Sequence, residues 1–149
     1  YQNNDIAYLE MKEYIYSLAR SIFQSYNIKD DEISLKLDII NLYIEPDIAI
    51  PFGIIINELI SNTIKYAFPE NKKGYIFIKF DKKEENDNYT LTIADNGIGL
   101  PENIDLNNVK SMGLRVVNLL VNQVGGTISI KRDNGTKYII NFKYKNNII

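Results

Sequence analysis

A chain of 149 residues, 45% hydrophobic and 24% charged, has the length and composition of one globular domain with a real core, and of neither a disordered segment nor a fibre. Its formal net charge of −2 lacks the clustered basic excess of a nucleic-acid-binding domain. With no cysteine and no histidine, it excludes thiol redox chemistry, the usual zinc sites, histidine-based triads and a phosphohistidine within the chain, so any metal must be held by oxygen.

In chain order, Ile6, Leu9, Ile15, Leu18 and Ile22 recur at mostly helical spacing and predict an amphipathic helix from about Asp5 to Tyr26. Ile33, Leu35, Leu37 and Ile39 alternate with Ser34, Lys36 and Asp38, the period of a half-buried strand that continues irregularly toward Ile44. Asp47 to Phe68 predicts a long apolar helix, central to the fold, that Pro51 can join only near its first turn. Gly74 to Phe80 and Tyr89 to Ala94 read as two strands of a hairpin, separated by the polar run Asp81 to Asn88. Ser111 to Val124 predicts another helix, ended by Gly125-Gly126 as a C-terminal cap. Thr127 to Arg132 and Thr136 to Tyr144 alternate as strands joined by Asp133-Asn134-Gly135, a hairpin turn, and Lys145 to Ile149 read as a frayed end. Hairpins rather than regular βαβ alternation predict an α+β, two-layer α/β sandwich: a mixed, mostly antiparallel sheet with helices on one face. No apolar run approaches a membrane span and no basic-then-apolar leader precedes the first helix, so a soluble, cytoplasmic module without direct membrane contact is expected. The opening at Tyr1 rather than Met reads as the start of a piece of something longer.

Three groups of residues carry chemistry. On the central helix Glu58, Asn62, Lys65 and Tyr66 share one face at spacings of three and four. A carboxylate, a carboxamide and an ammonium in line are poor core material because unpaired burial is costly, so they require a polar ligand or solvent; a solvated stripe satisfies the pattern equally well. Next, Asp95-Asn96-Gly97-Ile98-Gly99-Leu100-Pro101 follows a strand directly. Its glycines permit close backbone approach and positive φ, and Asp95 can offer a carboxylate to a planar donor such as a purine's exocyclic amine. The same heptapeptide also fits a plain Asn-Gly turn, while a dinucleotide fingerprint is excluded because its third glycine falls on Glu102. Third, Ser111-Met112-Gly113-Leu114 is a small-residue entry to a helix, where backbone N–H groups and the helix dipole favour phosphate, although a packing glycine accounts for it too.

The order of these pieces resembles the ATP-binding fold shared by histidine kinases, DNA gyrase, heat-shock chaperones and the mismatch-repair MutL proteins. NELISNTIKYAFP looks like that superfamily's N box, DNGIGLP its first glycine box and SMGL its second. The KYAFP ending and short lid resemble the sensor histidine kinase subgroup with the second type of dimerisation domain, and the first helix resembles the segment that follows the phosphoacceptor helices there. The resemblance implies residues 1–28 as a connection to an upstream dimerisation domain and 29–149 as the catalytic domain, with Glu102 to Lys110 a short ATP lid. It makes Asn62 the Mg²⁺ ligand, puts Lys65 on phosphate and Tyr66 beside the nucleotide, and has Asp95 accept the adenine amino group. Gly97, Gly99 and Leu100 would shape the pocket floor, Ser111, Met112, Gly113 and Leu114 would close over phosphates, and Thr136 would complete the adenine contacts. Glu58, one turn before the metal ligand, would accept a proton from the incoming nucleophile or water. The function implied is transfer of the γ-phosphoryl of Mg-ATP to a histidine on a dimerisation domain of a homodimeric kinase, for relay to a response regulator. The alternatives are a related serine kinase or ATPase, and a non-catalytic nucleotide-binding module.

Overall fold

The computed structural model describes residues 7–29, 31–69, 72–83, 87–100, 112–132 and 134–145, and in them the predicted elements assemble into a two-layer sandwich. The order is β1 (Leu9–Glu10), α1 (Met11–Ser25), β2 (Ile33–Ile39), β3 (Tyr43–Ile44), α2 (Pro46–Tyr66), β4 (Gly74–Lys82), β5 (Asn88–Asp95), α3 (Met112–Gln123), β6 (Thr127–Lys131) and β7 (Lys137–Lys143). Five strands form one sheet in the order β2-β4-β5-β7-β6. β2 and β4 run parallel, which requires a crossover, and α2 supplies it; every other pair in that sheet is antiparallel. β6 and β7 pair as the expected hairpin, with positive φ at Asn134 and Gly135; Asp133 lies outside the described residues. Val121 and Asn122 carbonyls accept from Gly126 and Gly125 at 2.9 and 3.0 Å, the backbone cap anticipated for α3.

Among the boundaries that differ from the sequence expectation, three bear on how the elements pack. The first helix begins at Met11 rather than near Asp5, because Leu9–Glu10 pairs antiparallel with Tyr43–Ile44 and the Met11 N–H donates to the Leu42 carbonyl at 2.8 Å; residues 1–6 lie outside the described residues. That same pairing ends β2 at Ile39: Leu42 and Ile44 turn their side chains into the core, so the alternation toward Ile44 belongs to two different sheets. The central helix starts at Pro46, a residue ahead of the expectation, and carries Pro51 inside it. Proline at the first helical position loses nothing, since that N–H has no intrahelical partner, whereas Pro51 withholds a hydrogen bond from the Asp47 carbonyl at the exposed end of the helix.

Alternation sorts the sheet into two faces. Ile76, Ile78 and Phe80 of β4, Leu91 and Ile93 of β5, and Ile140 of β7 are buried toward the helices. Against them α2 sets Phe52, Ile55, Ile56, Leu59 and Ile60, each fully buried, at about 1.5–3 kcal/mol apiece relative to exposure. Phe52 and Phe142 meet at 4.5 Å between ring centroids, joining helix to sheet. α1 lies beside α2 and buries Met11, Ile15, Ala19, Ile22 and Phe23 in the same core. Contrary to the composition-based expectation, α2 has the length and mean hydropathy of a membrane span. Its apolarity is that of a helix packed on a sheet and against two other helices, with half of that apolar stretch buried inside the protein.

Candidate nucleotide-binding site

The site begins with the phase of β5. Tyr89, Leu91, Ile93 and Asp95 alternate onto the helix side, so the carboxylate that ends the strand stands in line with core residues. Asp95 is 7% exposed. Its Oδ1 accepts the Gly97 N–H at 2.9 Å and the Thr136 N–H at 3.4 Å, while its own N–H donates to the Thr136 carbonyl at 2.9 Å. Burial pushes the Asp95 carboxyl above its ordinary range, and the two backbone donors pull it partly back. Thr136, also buried, accepts the Leu100 N–H on Oγ1 at 2.8 Å, so one residue ahead of β7 ties down both the acid and the loop that follows it.

That loop is clamped on its other side by the end of α2. The Ile98 N–H donates to the Ala67 carbonyl at 3.0 Å, and Asn96 Oδ1 accepts the Tyr75 N–H at 2.8 Å. Gly97 is pressed so close to Ala67 that any Cβ would overlap its carbonyl oxygen. Gly99 has φ of +83° and faces the Gly135 carbonyl, a conformation side chains rarely adopt. The structure requires glycine at these two positions for distinct reasons, one by contact and one by backbone angle, and of the two it is Gly99 that lines the cleft.

Asn62, Thr63, Tyr66 and Ala67 on α2 enclose a small cleft with Asp95, Gly99, Leu100, Thr136 and Tyr138. Six residues singled out from sequence therefore meet in one place: Asn62, Tyr66, Asp95, Gly99, Leu100 and Thr136. The cleft holds about 10 Å³, room for about one water. Glu58 is half-buried and Lys65 exposed on the same helix, and neither lines the cleft. Gly113 and Leu114 lie in the first turn of α3, which packs against α2, and Leu114 is buried. Ser111, the side chain of Met112 and the expected lid from Glu102 to Lys110 fall outside the described residues.

Three lining residues were not picked out from sequence. Thr63 is hidden in an apolar helix, where its hydroxyl donates to the Leu59 carbonyl at 3.0 Å. Ala67 contributes through its carbonyl, which no side-chain pattern reveals. Tyr138 was legible in principle, since it follows Thr136 by two residues and alternation sends both to the same side. Burial, then the Asp95 charge, push its phenol well above 10.0, with Arg132 opposing, so it stays protonated beside the acid.

For a cation, the described residues offer no group of three acidic side chains. Among the lining residues Asn62 carries a carboxamide oxygen, which suits Mg²⁺ held chiefly by water and phosphate oxygens with one or two protein ligands, and does not suit an all-protein cage.

Comparison with known proteins bears on this arrangement. Residues 48–146 match the family model described as histidine kinase-, DNA gyrase B-, and HSP90-like ATPase. The chain is 26% identical over 110 residues to the blue-light-activated histidine kinase 2 of Erythrobacter litoralis, covering 74% of this chain and 31% of that protein. It is 28% identical over 101 residues to the sensor histidine kinase PdtaS of Mycobacterium tuberculosis, covering 65% of this chain and 20% of that protein. The chain thus spans a third or less of these curated relatives. Among solved structures, the histidine kinase domain of the Erythrobacter litoralis EL346 blue-light activated histidine kinase superposes with a TM-score of 0.83 at 20% identity, over 96% of this chain and 65% of that one. The chain belongs to the histidine kinase-, DNA gyrase B- and HSP90-like ATPase family, an ATP-binding family, and has the fold of a histidine kinase catalytic domain.

Proposed function

We propose that this chain is the ATP-binding catalytic domain of a cytoplasmic sensor histidine kinase, holding Mg-ATP for phosphoryl transfer to a histidine on an upstream dimerisation domain of a homodimer, with a response regulator as the next acceptor. The observation that carries the reading is the buried Asp95, fixed by the Gly97 and Thr136 N–H groups at the bottom of a cleft that Asn62 and Tyr66 also line. Both backbone bonds use Oδ1, which leaves Oδ2 to accept a planar exocyclic amine. Such an acceptor, buried and paired with Thr136, selects adenine over purines that present a carbonyl there.

Bound Mg-ATP supplies the phosphoryl group and the charge neutralisation. The chain's part is to hold it: Asn62 offers a carboxamide oxygen to the ion, exposed Lys65 a charge to the phosphates, and Tyr66 a face to the nucleotide. The N-terminus of α3, with Ser111, Met112, Gly113 and Leu114, offers backbone N–H groups to phosphate oxygens. Glu58 takes the proton of the incoming nucleophile. The chain has no histidine, so the acceptor belongs to another segment or another chain. In this reading residues 1–28 lead in from the dimerisation domain and 29–149 carry the nucleotide site.

Calorimetry with a non-hydrolysable ATP analogue, with and without Mg²⁺, tests the assignment. Wild-type binding is expected to strengthen with Mg²⁺. Asp95→Asn, which swaps an acceptor for a carboxamide, is expected to weaken it roughly tenfold to a hundredfold, and Asn62→Ala to remove most of the Mg²⁺ dependence. No binding by the folded wild type would replace this reading with that of a non-catalytic interaction module.

A further inference from the structure

All three helices cover one face of the five-stranded sheet, and the register fixes what the opposite face presents. One row across β2, β4, β5, β7 and β6 runs Lys36, Phe77, Ala94, Lys137, Lys131. The next runs Asp38, Lys79, Thr92, Ile139, Ser129. Lys143 lies further along opposite Asn88, and Lys83 extends the same end. Asp38 and Asp81 are the acidic residues that register places on this face. The face is therefore basic although the chain as a whole carries −2.

Lys131 and Lys137 are direct cross-strand partners, an arrangement that disfavours the sheet because like charges oppose each other, and no carboxylate shares their row. Among the described residues the ion pairing on this face is Lys79 with Asp81 at 3.9 Å, while Lys36 lies over the Tyr75 ring at 4.3 Å. The surface between the lysines is an open, shallow depression. Half-buried Phe77 and Ile139 and the polar side chains of Thr90, Thr92, Ser129 and Asn141 line a hollow of about 580 Å³, rimmed by lysines. A second hollow of about 300 Å³ shares Lys83 and Asn141 with it and continues toward Gly125.

We propose that this outer sheet face docks a protein surface bearing clustered carboxylates with an apolar side chain among them. Charge complementarity names the class: a basic depression on an acidic chain attracts carboxylates and steers their approach. The apolar floor and the ring of hydroxyl and amide groups match the mixed make-up of protein interfaces. The cations are all lysine, which lacks the planar fork that reads phosphate bidentately, and this favours a carboxylate-rich protein over nucleic acid. The inference does not rest on the nucleotide assignment, because the cleft of Asp95 opens on the helix side of the sheet.

The test uses a fluorescein-labelled glutamate-rich peptide with interspersed leucines, read by anisotropy at low and physiological salt, with ATP-analogue binding measured in parallel. Wild type is expected to bind saturably and more weakly as salt rises. K131E/K137E is expected to lose roughly tenfold or more, with nucleotide binding unchanged, while K12E/K29E, the same charge change on exposed residues off this face, loses much less. K137E alone turns a like-charge pair into an opposite one; it is expected to raise Tm and still weaken the peptide, which separates docking from folding. Absence of saturable binding by wild type, or equal loss in the two double variants, overturns the proposal. Tighter binding of duplex DNA or phosphatidylserine vesicles with the same lysine dependence overturns the protein assignment.

Discussion

Asp95 combines two demands that conflict. A carboxylate near 7% exposure is destabilised by lost hydration, yet it must remain an acceptor for the amides of Gly97 and Thr136. Its acidity is weakened relative to the ordinary value of 3.8 mainly by desolvation. An acid whose folded-state pKa lies above the unfolded one binds its proton more tightly when folded. Asp95 therefore contributes most stability below 3.8 and loses that contribution as pH rises from there through the raised folded value. Asp95→Asn keeps an oxygen for the two amides and removes the titration. Urea unfolding of both proteins across acidic to neutral pH should show the variant gaining on wild type as pH rises; a difference that is flat or shrinks with pH would refute the assignment.

At the scale of elements, the site depends on where α2 stops. Its C-terminal Ala67 carbonyl receives the Ile98 N–H, and Gly97 is packed against that same carbonyl, so helix end and loop are one joint. Gly97→Ala would drive a methyl group into backbone, and such overpacking costs about 1–3 kcal/mol. For a domain of this size that lowers Tm by several degrees, and the shifted loop should weaken ATP-analogue binding as well. Thermal unfolding and calorimetry on one preparation check both. Unchanged Tm with unchanged binding would show that the loop relaxes freely and that the joint positions nothing.

For the molecule as a whole, α1 is the telling element. It sits at the edge of the expected domain division, yet it buries Met11, Ile15, Ala19, Ile22 and Phe23 against the helix that carries Asn62 and Tyr66. Tyr14 adds a hydrogen bond from its hydroxyl to the Ala49 carbonyl at 3.1 Å, packed over Gly53. Removing residues 1–28 would expose the partners of four large side chains at about 1.5–3 kcal/mol each, a sum comparable with a whole domain's stability of about 5–15 kcal/mol. The fragment 29–149 is expected to lose its cooperative thermal transition or to melt far below the full chain, read by circular dichroism. A fragment that melts with the full chain would show α1 to be a separable connection.

Local pattern marked most elements and six of the nine residues that line the cleft. Periodicities of two and three to four residues marked the helices and long strands, the Asn-Gly and Gly-Gly dipeptides marked the turn and the cap, and DNGIGLP placed an acid at a strand end, because each of these signals lies within a few neighbouring residues. What the chain could not display along its own length is everything that depends on distant partners: the β1–β3 pairing that delays α1, the parallel pairing of β2 with β4, and the carbonyl of Ala67 as an anchor. Lysines from β4, β6 and β7 gathered on one outer face only when register aligned the strands. Those contacts are set by which hydrophobic faces bury together, a property of the packed molecule rather than of any one segment.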